Sequence, residues 1–455
     1  MIKNRITLLF FLLAMFVANL AAQSILISET KGTTSPSINR RRGLEMLDQI
    51  KDVLKERYYD PDYHGINLNE RFKKAAANIK QYETNREIFS EIAQVLLEFK
   101  DSHTRFVPPG RQSRVEYGFT MQPIGNNNFI TEVEKGSDAE TQGVKPGDQI
   151  LAIGKNPVDR NMLWQLEYYI YQLDPQYALD LTLKDLKGVE RTVRVKSKFI
   201  SPEERRKQAE KRKSERDVVP YKCQEINYEL IACKLYTFSV AKNVVDKMMK
   251  EVGQHKKFIL DLRGNGGGYV KTDMHLLGYF FDKDVKVATM MTRKDSKEWV
   301  AKSRGDKVYG GDFTVLIDSD SASASEVFAR VIQLQKRGSV IGDRSAGAVM
   351  TSNFMNLAAV RGAEGFETIA PFGLNVTIGD MIMSDGNRLE VIGVIPDFPV
   401  GPTGYALSIK SDPVLAYAAL KHGIEISQEK AGEFHFLTKK PEEKDDQDED
   451  TDAEN

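Results

Sequence analysis

Cysteine is nearly missing from this chain: Cys223 and Cys233 are the two in 455 residues. Their spacing suits no zinc site, and no His/Cys cluster stands elsewhere, so a structural zinc module is excluded. The pair flanks Asn227, a turn candidate between two strand-like arms. Either the thiols face each other across a hairpin as a disulfide, which an exported protein permits, or they are two buried free thiols. Histidine is scarce as well, at six residues, and net charge is nearly absent, at −1. That balance gives no reason to invoke nucleic acid. Phosphate-loop chemistry is excluded too, because no Gly-Lys-Ser/Thr follows the one glycine run.

Long apolar runs are missing except at the start. Lys3 and Arg5 precede an apolar stretch from Ile6 to Ala22 that ends in small residues. This is the layout of a secretory signal peptide over residues 1–22. Its 17 residues stand at the short limit for spanning a bilayer, so cleavage is favoured over a membrane anchor. With no cysteine near its end, a lipid-anchored lipoprotein is disfavoured.

What is present reads as several units with a sizeable core. Residues 23–38 are rich in Ser and Thr and read as a linker. Residues 39–112 form a helical unit, with apolar stripes at Leu44, Leu47, Ile50, Val53 and Leu54, at Phe72, Ala75, Ala76 and Ile79, and at Ile88, Ile92, Val95 and Leu96. Residues 113–200 change to short strands and turns, the latter marked by Asn126–Asn128 and Lys145-Pro-Gly-Asp148. A charged linker or surface helix follows at 201–217. Strands alternate with helices over 218–425, the pattern of an α/β domain. Residues 426–455 are expected to be an acidic, disordered tail.

Four segments carry chemistry. In the first, a buried strand from Thr314 runs into Ser321-Ala-Ser-Ala-Ser-Glu326, and a helical run follows to Arg337. A hydroxyl on such a turn stands at the positive end of a helix dipole, beside backbone N–H groups able to hold an oxyanion. Asp261-Leu-Arg-Gly-Asn-Gly-Gly-Gly268 is the second; glycines at a strand end let backbone N–H groups approach a reacting carbonyl. The third is Lys100-Asp-Ser-His-Thr104, where His103 is a general-base candidate. The fourth is Asp385 to Asp397, in which Glu390 lies in a strand-like run and is able to orient a histidine.

Together these segments, over roughly residues 40–425, resemble the S41 family of serine peptidases, which includes carboxy-terminal processing proteases and tricorn-like relatives. Tyr117-Gly-Phe-Thr120 and Ala139–Gly154 resemble a PDZ domain. The resemblance implies a multidomain α+β protein: a helical N-terminal unit, a PDZ β-barrel-like domain and an α/β catalytic core of the ClpP/crotonase-like kind. It implies Ser323 as nucleophile. The N–H of Ala324 and of Gly266 or Gly267 would form the oxyanion hole, with Asp261 and Arg263 as supports. In the PDZ unit, Tyr117, Gly118, Phe119 and Thr120 would present backbone N–H groups to a peptide's C-terminal carboxylate. Partners would be protein or peptide substrates engaged through C-terminal tails, with no metal or organic cofactor. The membrane would be met only through an uncleaved signal segment.

One more absence decides the base. Many carboxy-terminal processing members carry a lysine 25 positions after the serine; here that residue is Ala348, which cannot take a proton. Lys336 falls on the helix after the nucleophile, and Lys271 matches no catalytic position. Tricorn-like members use a histidine preceded by serine, plus a distant glutamate. Ser102, His103 and Glu390 match that arrangement. The expectation is an exported serine endopeptidase of the Ser-His type, set against a silent peptide-binding scaffold that lost its lysine without replacement.

Overall fold

The computed structural model describes residues 36–110, 114–207, 220–363 and 366–436. The signal-peptide expectation falls outside them. Three helices open the described chain: α1 (Pro36–Arg57), α2 (Leu68–Ile79) and α3 (Asn85–Leu97). Helix α1 begins inside the segment expected as a linker. Asn67 and Thr84 cap the next two, each accepting a backbone N–H three residues on, and Glu87 completes a capping box at Thr84. Each helix buries the apolar stripe its spacing predicts.

Strand β1 (Arg105–Val107) follows directly after His103. A five-strand antiparallel path comes next: β2 (Phe119–Ile124), β3 (Asn127–Val133), β4 (Gln149–Ile153), β5 (Ala178–Lys184) and β6 (Glu190–Lys196), hydrogen-bonded in that order. Helix α4 (Leu163–Glu167) and its continuation to Leu173 lie between β4 and β5. Strand β2 is an edge of this sheet.

The α/β unit starts with the hairpin β7 (Tyr221–Glu225) and β8 (Leu230–Leu235). Asn227 makes its turn, with Oδ1 accepting the N–H of Glu229 and Leu230. Cys223 and Cys233 are register partners and form a disulfide. Helix α5 (Lys242–Val252), β9 (Lys257–Asp261), α6 (Val270–Leu277), β10 (Val285–Thr292), β11 (Ser296–Ala301), β12 (Asp312–Ile317), α7 (Ala324–Leu334) and β13 (Ser339–Gly342) follow. The main sheet runs β7-β8-β9-β12-β13 and ends on β14 (Phe398–Pro399), which is parallel to β13. From β8 onward its pairs are parallel. Both faces are covered, as a parallel sheet requires. Helices α5, α6 and α7 bury one face. Helix α8 (Pro413–Lys421), α9 (Gln428–Gly432), Phe434 and Phe436 bury the other.

That last packing corrects the tail expectation. Residues 428–436 are not a free acidic segment, because Ala431, Phe434 and Phe436 supply an apolar face that the sheet takes up. A long hairpin, Thr351–Ala363 with Phe366–Met383, joins β1, β10 and β11 in a further sheet. The helical unit is not a separate body. Its apolar core is continuous with the strand-rich unit and with this hairpin.

Candidate active site

Loops at the carboxyl ends of β9, β12 and β13 meet, the usual location for a site in a parallel α/β sheet. The β12 loop carries three serines with different surroundings. Ser321 Oγ donates to the Leu262 carbonyl and Ser325 Oγ to that of Asn265, both at 2.9 Å, and both residues are fully buried. These two hydroxyls stitch the serine turn to the glycine loop. Ser323, partly exposed, is the N-cap of α7 at φ 53° and ψ −118°. Left-handed backbone is rare for a residue other than glycine, and such strain gathers at functional sites. A Cβ added to Gly267 would stand 2.6 Å from Ser323 Cβ and 3.0 Å from Ala324 N. Only glycine lets the two loops approach so closely.

Two backbone donors at this junction, Gly266 N–H and Ala324 N–H, make no hydrogen bond among the described residues. Gly267 N–H is committed to Asn265 Oδ1 at 2.9 Å. Asn265 also donates to the Leu235 carbonyl, and its own carbonyl accepts Ala322 N–H.

Glu326, fully buried in the first turn of α7, was not singled out by sequence reasoning. Its Oε1 accepts Ser345 Oγ–H at 2.6 Å and Gly347 N–H at 2.7 Å. Its Oε2 accepts Ser323 N–H at 3.0 Å and Ala348 N–H at 2.8 Å. Burial pushes this carboxyl up to about 7, against the four donors that favour the carboxylate. Ser323 N–H also donates to the Ala348 carbonyl at 2.8 Å. Ala348 therefore adjoins Ser323 through its backbone and has no side chain to offer as a base.

Under the glycine loop lies a buried ion network. Arg263 pairs with Asp261 and, through both terminal nitrogens, with Asp412 at 2.8–2.9 Å. Lys234, also buried, donates to the Arg263 carbonyl and lies 3.5 Å from Asp261. Asp412 and Lys234 stand far from the motifs in sequence, and no local signal marks them.

The histidine reaches the catalytic domain on the turn between α3 and β1. Ser102 Oγ lies 2.6 Å from His103 Nδ1 and 3.1 Å from Glu390 Oε2. Ser102 N–H donates to Glu390 Oε1 at 2.6 Å, and Val349 N–H to Oε2 at 3.0 Å. Glu390 is an acceptor in each contact, so Ser102 Oγ–H donates to it and His103 Nδ1–H donates to Ser102. That assignment leaves Nε2 as the lone-pair nitrogen. Nε2 makes no hydrogen bond among the described residues, and none joins His103 to Ser323. Burial, with Arg105 beside it, lowers the His103 pKa from 6.5 to about 4 despite Asp101. The imidazole is neutral at neutral pH. Asp101 holds the turn, accepting from His103 N, Thr104 N, Thr377 Oγ1 and Tyr58 OH.

Glu390 does not lie in a strand, as its sequence suggested. It opens a tight turn in which Val391 adopts φ 66° and donates to the Gly347 carbonyl, while the Leu389 carbonyl accepts from Ile392 and Gly393. The local apolar alternation yields to these tertiary hydrogen bonds. In the strand-rich unit Gly118 has φ 71° at the start of β2, and Thr120 faces Thr131. Phe119 is buried. Tyr117 is buried as well; its hydroxyl accepts Gln176 N–H and contacts the Gln176 carbonyl, so its side chain braces the loop from inside.

Residues 232–400 match the model of peptidase family S41, and residues 109–163 that of the PDZ domain. A carboxyl-terminal-processing protease of Picosynechococcus sp. is 24% identical over 399 residues, covering 82% of this chain and 87% of that protein. A probable CtpA-like serine protease of Staphylococcus aureus (strain COL) is 26% identical over 312 residues, covering 66% of this chain; the match spans 56% of that protein's length. Among solved structures, mature CPAF shares the fold at a TM-score of 0.62 and 14% identity, over 82% of this chain and 94% of that one. The photosystem II D1 C-terminal processing protease does so at 0.50 and 17%, over 79% and 93%. The chain therefore carries a peptidase family S41 domain over residues 232–400 and a PDZ domain over residues 109–163, and it is a serine-type peptidase.

Proposed function

We propose that the chain is an exported endopeptidase whose nucleophile is Ser323 and whose general base is His103. The observation that carries this reading is the chain Glu390–Ser102–His103, which leaves Nε2 as the one ring nitrogen able to accept a proton. Ala348 at the usual lysine position supports it. Lys234, the buried lysine of the same domain, is occupied by Arg263 and Asp261.

Ser323 Oγ attacks the scissile carbonyl while His103 Nε2 takes its proton. The oxyanion is held by the N–H groups of Ala324 and Gly266. Gly267 supplies the close approach of the two loops. Collapse of the tetrahedral intermediate passes the proton from His103 to the leaving amine. Water, deprotonated by the same nitrogen, then releases the acyl group. Ser102 and Glu390 keep the tautomer and orientation and take no proton themselves.

The substrate is a flexible or C-terminal segment of a protein. The PDZ strand β2, behind the Tyr117–Thr120 loop, is a sheet edge, the kind of place where such a tail adds as a strand. Export accords with the Cys223–Cys233 disulfide, which persists in oxidising compartments such as the periplasm or cell envelope. The test incubates the purified protein with an unstructured polypeptide and a serine-reactive phosphonate, beside Ser323→Ala and His103→Ala. Hydrolysis and labelling by the wild type alone are expected. If the wild type shows neither, the proposal fails.

A further inference from the structure

We infer that Arg105, stacked on Trp164 of the PDZ helix while Tyr168 of the same helix holds the next residue's carbonyl, is a positioning residue for the catalytic histidine, so that the PDZ domain is a working part of the base. The inference rests on the reading of His103 as base. It starts from Ser102, whose three polar groups are all held. Its N–H is taken by Glu390, and its hydroxyl stands between His103 and Glu390. Its carbonyl accepts two N–H groups of one guanidinium, from Arg105 Nε at 2.9 Å and Nη2 at 2.5 Å. Release of that carbonyl frees the Ser102 peptide to rotate, and with it the hydroxyl that orients the imidazole.

Arg105 is held in turn from outside the helical unit. Its guanidinium carbon lies 4.8 Å from the centre of the Trp164 ring, within the range in which a cation is attracted to an indole face. One helical turn on, Tyr168 OH donates to the Phe106 carbonyl at 2.5 Å. Positions i and i+4 share a helix face. The PDZ helix therefore grips the strand after His103 at two adjacent residues.

The groups around His103 are Asp101 and Arg105 on its own segment and Glu390 across Ser102. Tyr58 and Thr377 stand behind Asp101, and Tyr168 stands beside Arg105. The positive charge of Arg105 adds to burial in keeping the imidazole neutral. Its removal moves the His103 pKa upward, toward the ordinary value.

The test measures kcat/KM against pH with a C-terminally amidated, unstructured peptide, so that capture of a free carboxylate plays no part. Rates are expressed per site titrated with phosphonate, which removes misfolded enzyme from the comparison. Arg105→Met should lower kcat by about tenfold to a hundredfold with KM little changed. It should also shift the acid limb upward in pH. Trp164→Ala should follow in the same direction by a smaller factor, with Trp164→Phe recovering most of the rate. A merely structural role would reduce the titratable fraction and leave the acid limb in place. If His103→Ala is inactive and the Arg105→Met profile coincides with the wild type, the inference is overturned and the base assignment stands. If His103→Ala keeps full activity, the base assignment falls and takes the inference with it.

Discussion

Ser323 carries a cost in its backbone that its hydroxyl does not explain. At φ 53° a residue with a Cβ is strained by on the order of 1–3 kcal/mol, and the serine turn keeps it there through Glu326 and the Ala348 carbonyl. Two inactive variants separate that strain from chemistry. Ser323→Gly should be more stable than the wild type by about 1 kcal/mol in urea unfolding, whereas Ser323→Ala should match it. Equal stability of the two variants would show that the turn stores no strain. The motif register pointed to Ser323, and the burial of Ser321 and Ser325 gives a physical reason why their hydroxyls are occupied. Less visible in the sequence were Glu326, Asp101 and Arg105. Glu326 acts on the N–H groups of Gly347 and Ala348, Asp101 also on Tyr58 and Thr377, and Arg105 stacks on Trp164; folding brings these partners near, and no spacing rule connects a carboxylate to a group on another loop.

Elements set how closely the reacting groups come together. The glycine loop after β9 and the serine turn after β12 touch through Gly267, which has φ 101° and no room for a methyl group. Gly267→Ala is expected to lower the phosphonate labelling rate of Ser323 by about a hundredfold, because the methyl group would push the two loops apart. A labelling rate within twofold of wild type would contradict the close approach. The strands, helices and turns that carry these loops were legible from apolar runs, glycines and caps. Two elements were not. The turn at Glu390 was disguised by its alternating apolar residues, which in the fold are exposed at Val391 and Ile392. The segment 428–436 was hidden by its charged neighbours, although two phenylalanines anchor it to the sheet.

In the proposed mechanism the whole molecule unites three units around one site. The helical unit brings Asp101, Ser102 and His103, the catalytic domain brings Ser323 and Glu390, and the PDZ domain docks on both. Arg160 pairs with Asp343 at 2.7 Å, and Gln122 bonds Asp318 at 2.9 Å, each on a loop that leads to the site. The PDZ and S41 segments were readable as changes of pattern along the chain. Their shared core was not, because it is built from contacts hundreds of residues apart, such as β1 against the long hairpin. At one edge of the catalytic sheet the disulfide closes a hairpin with a sequence separation of 10. Its removal by Cys223→Ser with Cys233→Ser should cost about 2–3 kcal/mol of unfolding free energy, read from denaturant midpoints. A change below about 0.5 kcal/mol would mean that the reduced chain already keeps the hairpin closed.

The union of these units around a histidine base is tested most directly by the pH dependence of kcat/KM for the wild type beside His103→Ala. A wild-type acid limb near pH 4 is predicted, since the imidazolium must lose its proton before Nε2 can act as a base. His103→Ala is predicted to lose about 10²–10⁴-fold per mole of folded enzyme. A His103→Ala enzyme that keeps the wild-type rate and the wild-type profile would contradict the account.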